Sequence, residues 1–141
     1  MDSTVTIIGN ITRDPELRHT PSGQRNATFG VAVNRRWRDQ QTQDWKEQVS
    51  FFDVVCWRDL ADNAYESLTK GARVIVTGRL DQRSWDDAQG NRRSKVEIVA
   101  DEVGPSLRWA TADIAKNQTR APEPAMAGAA ADQETSDEEP F

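Results

Sequence analysis

Alternation of apolar and polar residues dominates the first hundred positions of the chain. Because strand side chains point to opposite faces in turn, such alternation predicts strands with one buried face. Five runs show it, and polar or glycine-containing connections separate them. The predicted core positions are Val5, Ile7 and Ile11 in the first run, Ala27, Phe29, Val31 and Val33 in the second, Phe52, Val54 and Cys56 in the third, Val74, Val76 and Leu80 in the fourth, and Val96, Ile98 and Ala100 in the fifth.

The third run has an aromatic ring in each of its two registers. It spans residues 49–57 and reads VSFFDVVCW. Phe52 takes the core register, which leaves Phe51 and Trp57 on the opposite face of the strand. These two rings lie six residues apart, which is roughly 20 Å along a strand. Large rings that face solvent indicate a contact surface, either for another subunit or for a flat ligand.

A helix is predicted between the third and fourth runs. Residues 10–24 form a polar connection with turn signals, and residues 34–48 form an extended hairpin. The order of strand, strand, strand, helix, strand, strand predicts an all-β protein, a five-stranded oligonucleotide/oligosaccharide-binding (OB) barrel with one helix between strands 3 and 4. The residues that predict the helix are Asp59 at its N-cap, Leu60, Ala61, Ala64 and Leu68 at helical spacing, and Gly71 at its C-terminal cap.

Regular patterning fades from about residue 111. Residues 111–136 form an Ala/Pro-rich segment, and residues 137–141 form an acidic tip that ends in Pro140-Phe141. Such a segment cannot bury enough apolar surface to offset its ordering entropy, so we expect a disordered tail. The predicted organisation is a folded domain over residues 1–110, a disordered linker over 111–136 and the acidic tip.

Charge is distributed unevenly between the predicted domain and the tail. The net charge is −5, yet residues 1–110 contain 16 Lys+Arg and 16 Asp+Glu, so the whole acidic excess lies in the tail. Thirteen of the 16 cations of the domain are arginines, which stack on flat groups and bind phosphate with two hydrogen bonds. A neutral domain rich in arginine can therefore present one basic face.

Cysteine and histidine usage excludes several kinds of chemistry. Cys56 is the only cysteine and His19 the only histidine, which excludes an intrachain disulfide and the usual zinc-ligand spacings. We expect no metal or cofactor, and we expect Cys56 in the core, although an exposed thiol there would link subunits. No apolar run reaches 18 residues and the N-terminus lacks a signal-peptide pattern, so we expect a cytoplasmic protein without membrane contact.

Aromatic and cationic residues occur together in the hairpins and outward registers. Single-stranded nucleic acid requires both, since flat side chains stack on unpaired bases and cations neutralise phosphates. Two assignments stay open: Trp57 could lie in the core or at a subunit contact, and Trp37 has the parity of the apolar face. Asp53 would repel phosphate, so we expect it to pair with a nearby arginine. The candidate DNA-binding residues are Trp37, Phe51, Trp57, Trp85, Arg35, Arg36, Arg73, Arg79, Arg83, Arg93 and Lys95.

Several stretches of the chain resemble the bacterial single-stranded DNA-binding proteins. They read VTIIGNITRDPELRHTPSG near the start, WRDQQTQDWKEQ in the hairpin and LADNAYESLTKGARVIVTGRL after the third strand, and DEVGPSLRWATA is similar to the actinobacterial branch. The resemblance implies a non-enzymatic homotetramer of OB barrels that binds and protects single-stranded DNA during replication, repair and recombination. It also implies base stacking by Trp37, Phe51, Trp57 and Trp85, although the family commonly has Trp at position 51.

The end of the chain matches the family's acidic C-terminal tip. The resemblance implies that this tip docks onto replication, repair and recombination proteins. Glu139 stands where the family often has an apolar residue. The candidate partner-binding residues are Asp137, Glu138, Glu139, Pro140 and Phe141.

Three alternative functions stay open at this point. An RNA-binding barrel shares the fold and the binding face. A nuclease would need Asp53, Asp86 and Asp87 to hold a metal, but they come from the middle of a strand and from a hairpin tip. A pure interaction hub would use the tail as its functional part.

Overall fold

Six strands form one sheet, and one helix packs against it. The computed structural model describes residues 3–118. The predicted tip at residues 137–141 and most of the predicted linker lie outside the described residues. Residues 106–118 follow the last strand without forming a helix or strand. The elements are β1 (Thr4–Ile11), β2 (Glu16–His19), β3 (Arg25–Arg38), β4 (Trp45–Trp57), α1 (Arg58–Ser67), β5 (Arg73–Asp86) and β6 (Arg92–Pro105).

The sheet closes into a barrel because β1 pairs with two other strands. The order of neighbours is β1-β5-β6-β4-β3-β2, and β1 also pairs with β3 at Asn10↔Ala32 and Ile11↔Val31. The β4–β6 pairing is parallel and the other pairings are antiparallel. The predicted fold class, an all-β OB barrel with one helix, is therefore confirmed.

The structure has one more strand than the five that the pattern predicts. β2 lies within residues 10–24, which we predicted to be only a polar connection, and it pairs with the start of β3 from Glu16↔Thr28 to His19↔Arg25. A run of four residues with a single apolar side chain, Leu17, is too short to show alternation. Pairing with β3, rather than its own hydrophobicity, makes this segment a strand.

The core lies on the predicted inward registers of the long strands. In each of the five runs, at least one predicted core position is buried, and residues from the helix complete the core. The side chain of Val55 is also buried although it belongs to the outward register of β4, because Thr28 and Val99 flank it. The most deeply buried large side chains are Phe29, Val31, Val54, Cys56, Val74, Val76 and Ile98.

The predictions of core positions for Leu80 and Val96 are wrong. Their side chains are 45% and 56% exposed. The paired part of β1 ends at Thr4, opposite Arg79, so Leu80 extends beyond its neighbouring strand. Val96 comes two residues before the β4–β6 pairing begins at Ile98. Both side chains therefore lie where the β5–β6 hairpin leaves the barrel, and no second layer covers them.

The helix forms where predicted, but both predicted caps are wrong. Trp57 is the N-cap residue and makes no side-chain cap, while Asp59 lies in the first turn and pairs with Arg25 at 3.2 Å. The helix ends with Leu68 as its C-cap, and Gly71 takes its positive φ of 93° in the following turn. Within residues 3–118, no helix is long and apolar enough to span a membrane.

Candidate nucleic-acid interface

The register between β3 and β4 places Phe51, Asp53 and Trp57 on one side of the barrel wall. Phe52, Val54 and Cys56 alternate with them and contact the core. Paired residues on neighbouring strands share a face. The pairing therefore continues this outward side onto β3 through Gly30, which is opposite Asp53, and Asn26, which is opposite Trp57.

The same side continues across β6 to β5. Val55 pairs with Val99 in the parallel β4–β6 ladder, so the odd-numbered residues of β6 face outward with those of β4. Along the β5–β6 hairpin, Lys95 then pairs with Arg83, and Arg93 with Trp85. We call this continuous surface the outer face. It consists of Phe51, Asp53, Trp57, Arg79, Asp81, Arg83, Trp85, Arg93, Lys95 and Glu97.

Three of the four predicted stacking residues lie on the outer face and are open to solvent to different degrees. Phe51 is 72% exposed and Trp85 is 39% exposed. Trp57 is half-buried where β4 meets the helix. None of the three is sealed in the core, so each ring keeps an accessible surface for a planar ligand.

Trp37 lies on the opposite side of the β3–β4 hairpin from Phe51. The register runs without a bulge from Asn26↔Trp57 to Arg38↔Trp45, so Trp37 and Arg35 keep the parity of the core positions. Here, however, the hairpin extends beyond the core, and Trp37 is 36% exposed. The guanidinium carbon of Arg35 lies 4.9 Å from the centre of the Trp37 ring.

The projecting hairpin thus has an arginine–tryptophan pair on each side. Arg36 and Trp45 have the parity of the outer face, and the Arg36 guanidinium lies 5.3 Å from the Trp45 ring centre. The hairpin can therefore present a cation and a ring in either direction. The sequence did not predict a role in binding for Trp45.

Most cations of the outer face have a carboxylate partner. Arg83 lies 3.6 Å from Glu97, and its guanidinium also lies 5.2 Å from the centre of the Trp85 ring. Arg93 lies 2.9 Å from Asp87. Within residues 3–118, Arg79 has no such partner and is exposed. The outer face is therefore less basic than a count of its arginines indicates.

The prediction that Asp53 pairs with an arginine is confirmed. Arg13 Nη2 lies 3.5 Å from Asp53 Oδ1, and Lys95 Nζ lies 3.2 Å from Asp53 Oδ2. Arg13 was not among the predicted binding residues because it follows β1 in a connection. One signal could have pointed to it: Gly30 interrupts an alternating strand, and such a glycine often marks a close approach.

Arg73 does not join the other predicted cations. It has the outward parity of β5 but lies six residues before Arg79, which is roughly 20 Å along the strand. Its guanidinium lies 4.7 Å from the centre of the Trp109 ring, and its Nε is buried and has no hydrogen-bond partner within residues 3–118. The structure groups Arg73 with Trp109 at the far end of the barrel.

The pKa values of Cys56 and Asp87 are shifted. Burial raises the pKa of the Cys56 thiol to about 12, and the prediction that Cys56 belongs to the core is confirmed. The hydrogen bond from Arg93 is the largest of the contacts that lower the pKa of Asp87, followed by the backbone N–H of Asn91. Asp87 Oδ1 accepts this second bond at 2.8 Å, so it orders the tip of the β5–β6 hairpin.

The three aspartates of the nuclease alternative are engaged with cations in separate places. Asp86 pairs with Arg92 at 3.3 Å, and Asp87 pairs with Arg93. Asp53 pairs with Lys95, which lies opposite Arg83 in the β5–β6 ladder. Asp87 follows Arg83 by four residues, so it lies roughly 13 Å further along the chain than the position of Asp53. Among residues 3–118, no group of three or more His, Cys, Asp or Glu side chains has an arrangement that could hold a metal ion.

A small closed β-barrel with rings and cations on one outer side defines an oligonucleotide-binding domain. The chain belongs to the single-strand binding protein family, whose model matches residues 2–106. This family consists of non-enzymatic DNA-binding proteins, so the prediction that the chain is not an enzyme is confirmed.

Actinobacterial relatives are similar over most of the chain. A single-stranded DNA-binding protein from Mycobacterium tuberculosis is 53% identical over 116 residues, which cover 82% of this chain and 71% of the relative. One from Corynebacterium glutamicum is 51% identical over 114 residues, which cover 80% of this chain and 51% of the relative. The predicted resemblance to the actinobacterial type is confirmed.

Solved structures of the same family superpose on the barrel. A Plasmodium falciparum SSB in complex with ssDNA matches with a TM-score of 0.68 and 26% identity, covering 74% of this chain and 94% of that chain. A small single-stranded DNA-binding protein from Streptomyces coelicolor matches with a TM-score of 0.62 and 31% identity, covering 76% of this chain and 96% of that chain.

Proposed function

We propose that this protein binds single-stranded DNA without sequence preference and protects it during replication, repair and recombination. The observation that carries the proposal is the joint placement of Phe51, Trp57 and Trp85 with Arg83, Arg93 and Lys95 on the outer face. Bases stack on the rings, and the cations neutralise the phosphates. Arg35, Arg36 and Trp37 on the projecting hairpin extend the contact, and Arg79 adds a cation that has no carboxylate partner within residues 3–118.

Stacking explains both the selectivity and the absence of sequence preference. Every base has a flat π-face, so a ring accepts any base, whereas a duplex hides those faces inside its stack. The exposure of Phe51 and Trp85 supports this mechanism because both rings are open to a ligand before DNA arrives. Phosphate neutralisation adds a salt-dependent part to the affinity.

The decisive experiment is a titration of intrinsic tryptophan fluorescence with oligo-dT of increasing length at two salt concentrations. We expect quenching, affinity that decreases with salt, and a salt-resistant remainder from stacking. Duplex DNA of the same length and oligo-U serve as competitors. Equal binding of the duplex would contradict the stacking mechanism, and preferential binding of oligo-U would favour the RNA-binding alternative.

The active form that we propose is a homotetramer. Exposed apolar side chains outside the DNA-binding surface support it: Ile8 and Ile75 are paired across β1 and β5 and are 44% and 41% exposed. An open cavity of about 490 Å³ adjoins them, lined in part by Ile7, Val33 and Phe52. Light scattering should give four chains for the wild type and fewer for Ile8→Asp. Tyr65→Asp, on the exposed side of α1, is the control.

The acidic tip is the proposed docking segment for partner proteins. Its support is the sequence, in which three acidic residues, Asp137 to Glu139, precede Pro140 and Phe141. In this proposal residues 1–110 bind DNA in the cytoplasm and residues 111–136 act as a disordered linker. Deletion of residues 137–141 should leave oligo-dT affinity unchanged and abolish capture of a helicase or exonuclease partner in a pull-down. Unchanged capture would contradict the docking role.

A further inference from the structure

Asp53 is a carboxylate in the middle of a surface that is proposed to bind a polyanion. It lies on β4 two residues from Phe51 and four from Trp57, which is roughly 7 and 13 Å of strand. DNA that stacks on both rings must therefore pass over Asp53. A negative charge at this position opposes binding unless the protein neutralises it.

Two cations neutralise Asp53, one on each of its oxygens. Arg13 Nη2 lies 3.5 Å from Oδ1, and Lys95 Nζ lies 3.2 Å from Oδ2. The three side chains are 37% to 49% exposed, so all of them can be reached by a ligand from solvent. They come from three separate segments: the connection after β1, the middle of β4, and β6.

Gly30 makes room for the Arg13 side chain. It is opposite Asp53 in the β3–β4 register, and a Cβ atom there would lie 2.7 Å from Arg13 Nη1. The backbone N–H of Thr12 donates to the carbonyl oxygen of Gly30 at 2.9 Å, which fixes the start of the connection against β3. The guanidinium of Arg13 can therefore lie across the strand and reach Asp53.

We propose that Arg13 and Lys95 form a phosphate-binding subsite on the outer face, and that Asp53 occupies this subsite in the free protein. The inference rests on the proposed function, because the ligand is a backbone phosphate of single-stranded DNA. A phosphodiester presents two anionic oxygens, as a carboxylate does, so the same pair of cations can bind either group. DNA binding then exchanges the carboxylate for a phosphate.

This exchange has two measurable consequences. Asp53 weakens DNA binding, because each phosphate contact at the subsite replaces an existing ion pair. It also lowers the salt dependence, because the carboxylate that DNA displaces attracts a cation from solution, and this uptake offsets part of the counterion release from the DNA. A purely positioning role for Asp53 has the opposite consequence, since loss of the carboxylate would then let Arg13 and Lys95 move away and weaken binding.

The test is the affinity of the full chain for oligo-dT as a function of salt, with Asp53→Asn. Exposed ion pairs contribute modestly, so we expect roughly 2- to 10-fold tighter binding at low salt. The slope of log K against log salt should become steeper by at most about 0.7, the value for one phosphate charge, because Asp53→Asn removes one negative charge. Asp113→Asn is the matched control. It makes the same change in net charge at an exposed carboxylate beside Asn63 and Ser67 of α1, outside the outer face, and both quantities should stay at wild-type values.

Arg13→Gln and Lys95→Gln in the Asp53→Asn background identify the subsite directly. Each should return the salt slope toward the wild-type value by about 0.7. Unchanged or weaker binding by a folded Asp53→Asn variant, with an unaltered slope, would overturn the inference. Asp53→Ser gives the same test if the asparagine variant does not fold. Wild-type protein that fails to bind oligo-dT would refute the proposed function instead, so the two failures are distinguishable.

Discussion

Trp85→Ala tests the stacking contribution of one ring on the outer face. Trp85 lies near the tip of the β5–β6 hairpin, opposite Arg93, and is 39% exposed, so little of the core depends on it. Stacking of a base on an aromatic side chain contributes about 1–3 kcal/mol. Since 1.4 kcal/mol corresponds to a factor of ten, we expect the Kd for oligo-dT to rise roughly 5- to 150-fold.

The salt dependence distinguishes loss of stacking from loss of charge. Trp85→Ala removes a ring and no cation, so the slope of log K against log salt should stay at its wild-type value, and the affinity loss should persist at high salt. Fluorescence anisotropy of labelled oligo-dT measures both quantities. The variant also loses the contact with Arg83, about 0.5–1 kcal/mol at an exposed site, so the melting temperature should change little.

Trp109→Ala is the matched control for this experiment. Trp109 is an exposed tryptophan beside Arg73, off the outer face, and its removal should leave the affinity for oligo-dT unchanged. Equal affinity of Trp85→Ala and wild type would refute the assignment of Trp85 as a base-stacking residue. A loss that disappears at high salt would show that Trp85 acts through the neighbouring cations instead.

Three further predictions concern single side chains. Because the Cys56 thiol ionises at 9.0 when unfolded and at about 12 when folded, its contribution to stability is complete below pH 9 and is lost as pH rises toward 12. In denaturant unfolding, the free energy of unfolding should decrease by about 1.4 kcal/mol per pH unit between pH 9 and about 12. The Cys56→Ala variant should not show this decrease. The pKa of Asp87 is lowered from 3.8 in the folded protein. The contribution of the Asp87 carboxylate to hairpin stability is therefore complete above pH 3.8 and is lost as pH falls through the folded pKa. An NMR titration of the Asp87 carboxyl should give a midpoint below 3.8. Gly30→Ala should displace Arg13 and, in the Asp53→Asn background, reduce the salt slope by about 0.7 in an oligo-dT titration.

The strands of the barrel were predictable because each one that borders the core alternates over at least five positions. β1 contains Ile7 and Ile11, two of the core positions predicted for the first run, and both are buried. β2 could not be predicted, since it has four residues and one apolar side chain, Leu17, which packs against the core. Periodicity reports burial against a second layer, and so short a strand cannot show it.

The outer face was predictable in part for a different physical reason. Parity identified Phe51 and Trp57 because Phe52, Val54 and Cys56 alternate with them and contact the core, and it identified Trp85 because this ring shares a register with Arg79 and Arg83. Ion pairs join residues that are distant in sequence, so parity could not show that Glu97 and Asp87 hold Arg83 and Arg93. The placement of Arg73 beside Trp109 likewise depends on where the segment after β6 runs, which no local pattern records.

The projecting β3–β4 hairpin shows where the parity argument ends. Inside the barrel, a side chain with core-facing parity packs in or against the core, as Val31 and the opposite residue Phe52 illustrate. Past Asn34 the same two registers continue, but neither side has a core beneath it. Trp37 and Trp45 therefore lie on opposite sides of the hairpin, each under an arginine, and both remain open to solvent. A strand of DNA that follows the outer face reaches Trp45 first, and it reaches Trp37 only by passing around the edge of the hairpin. The two rings must accordingly contact different stretches of one strand or separate strands, so loss of Trp37 should weaken binding of long oligonucleotides more than binding of short ones in the length titration.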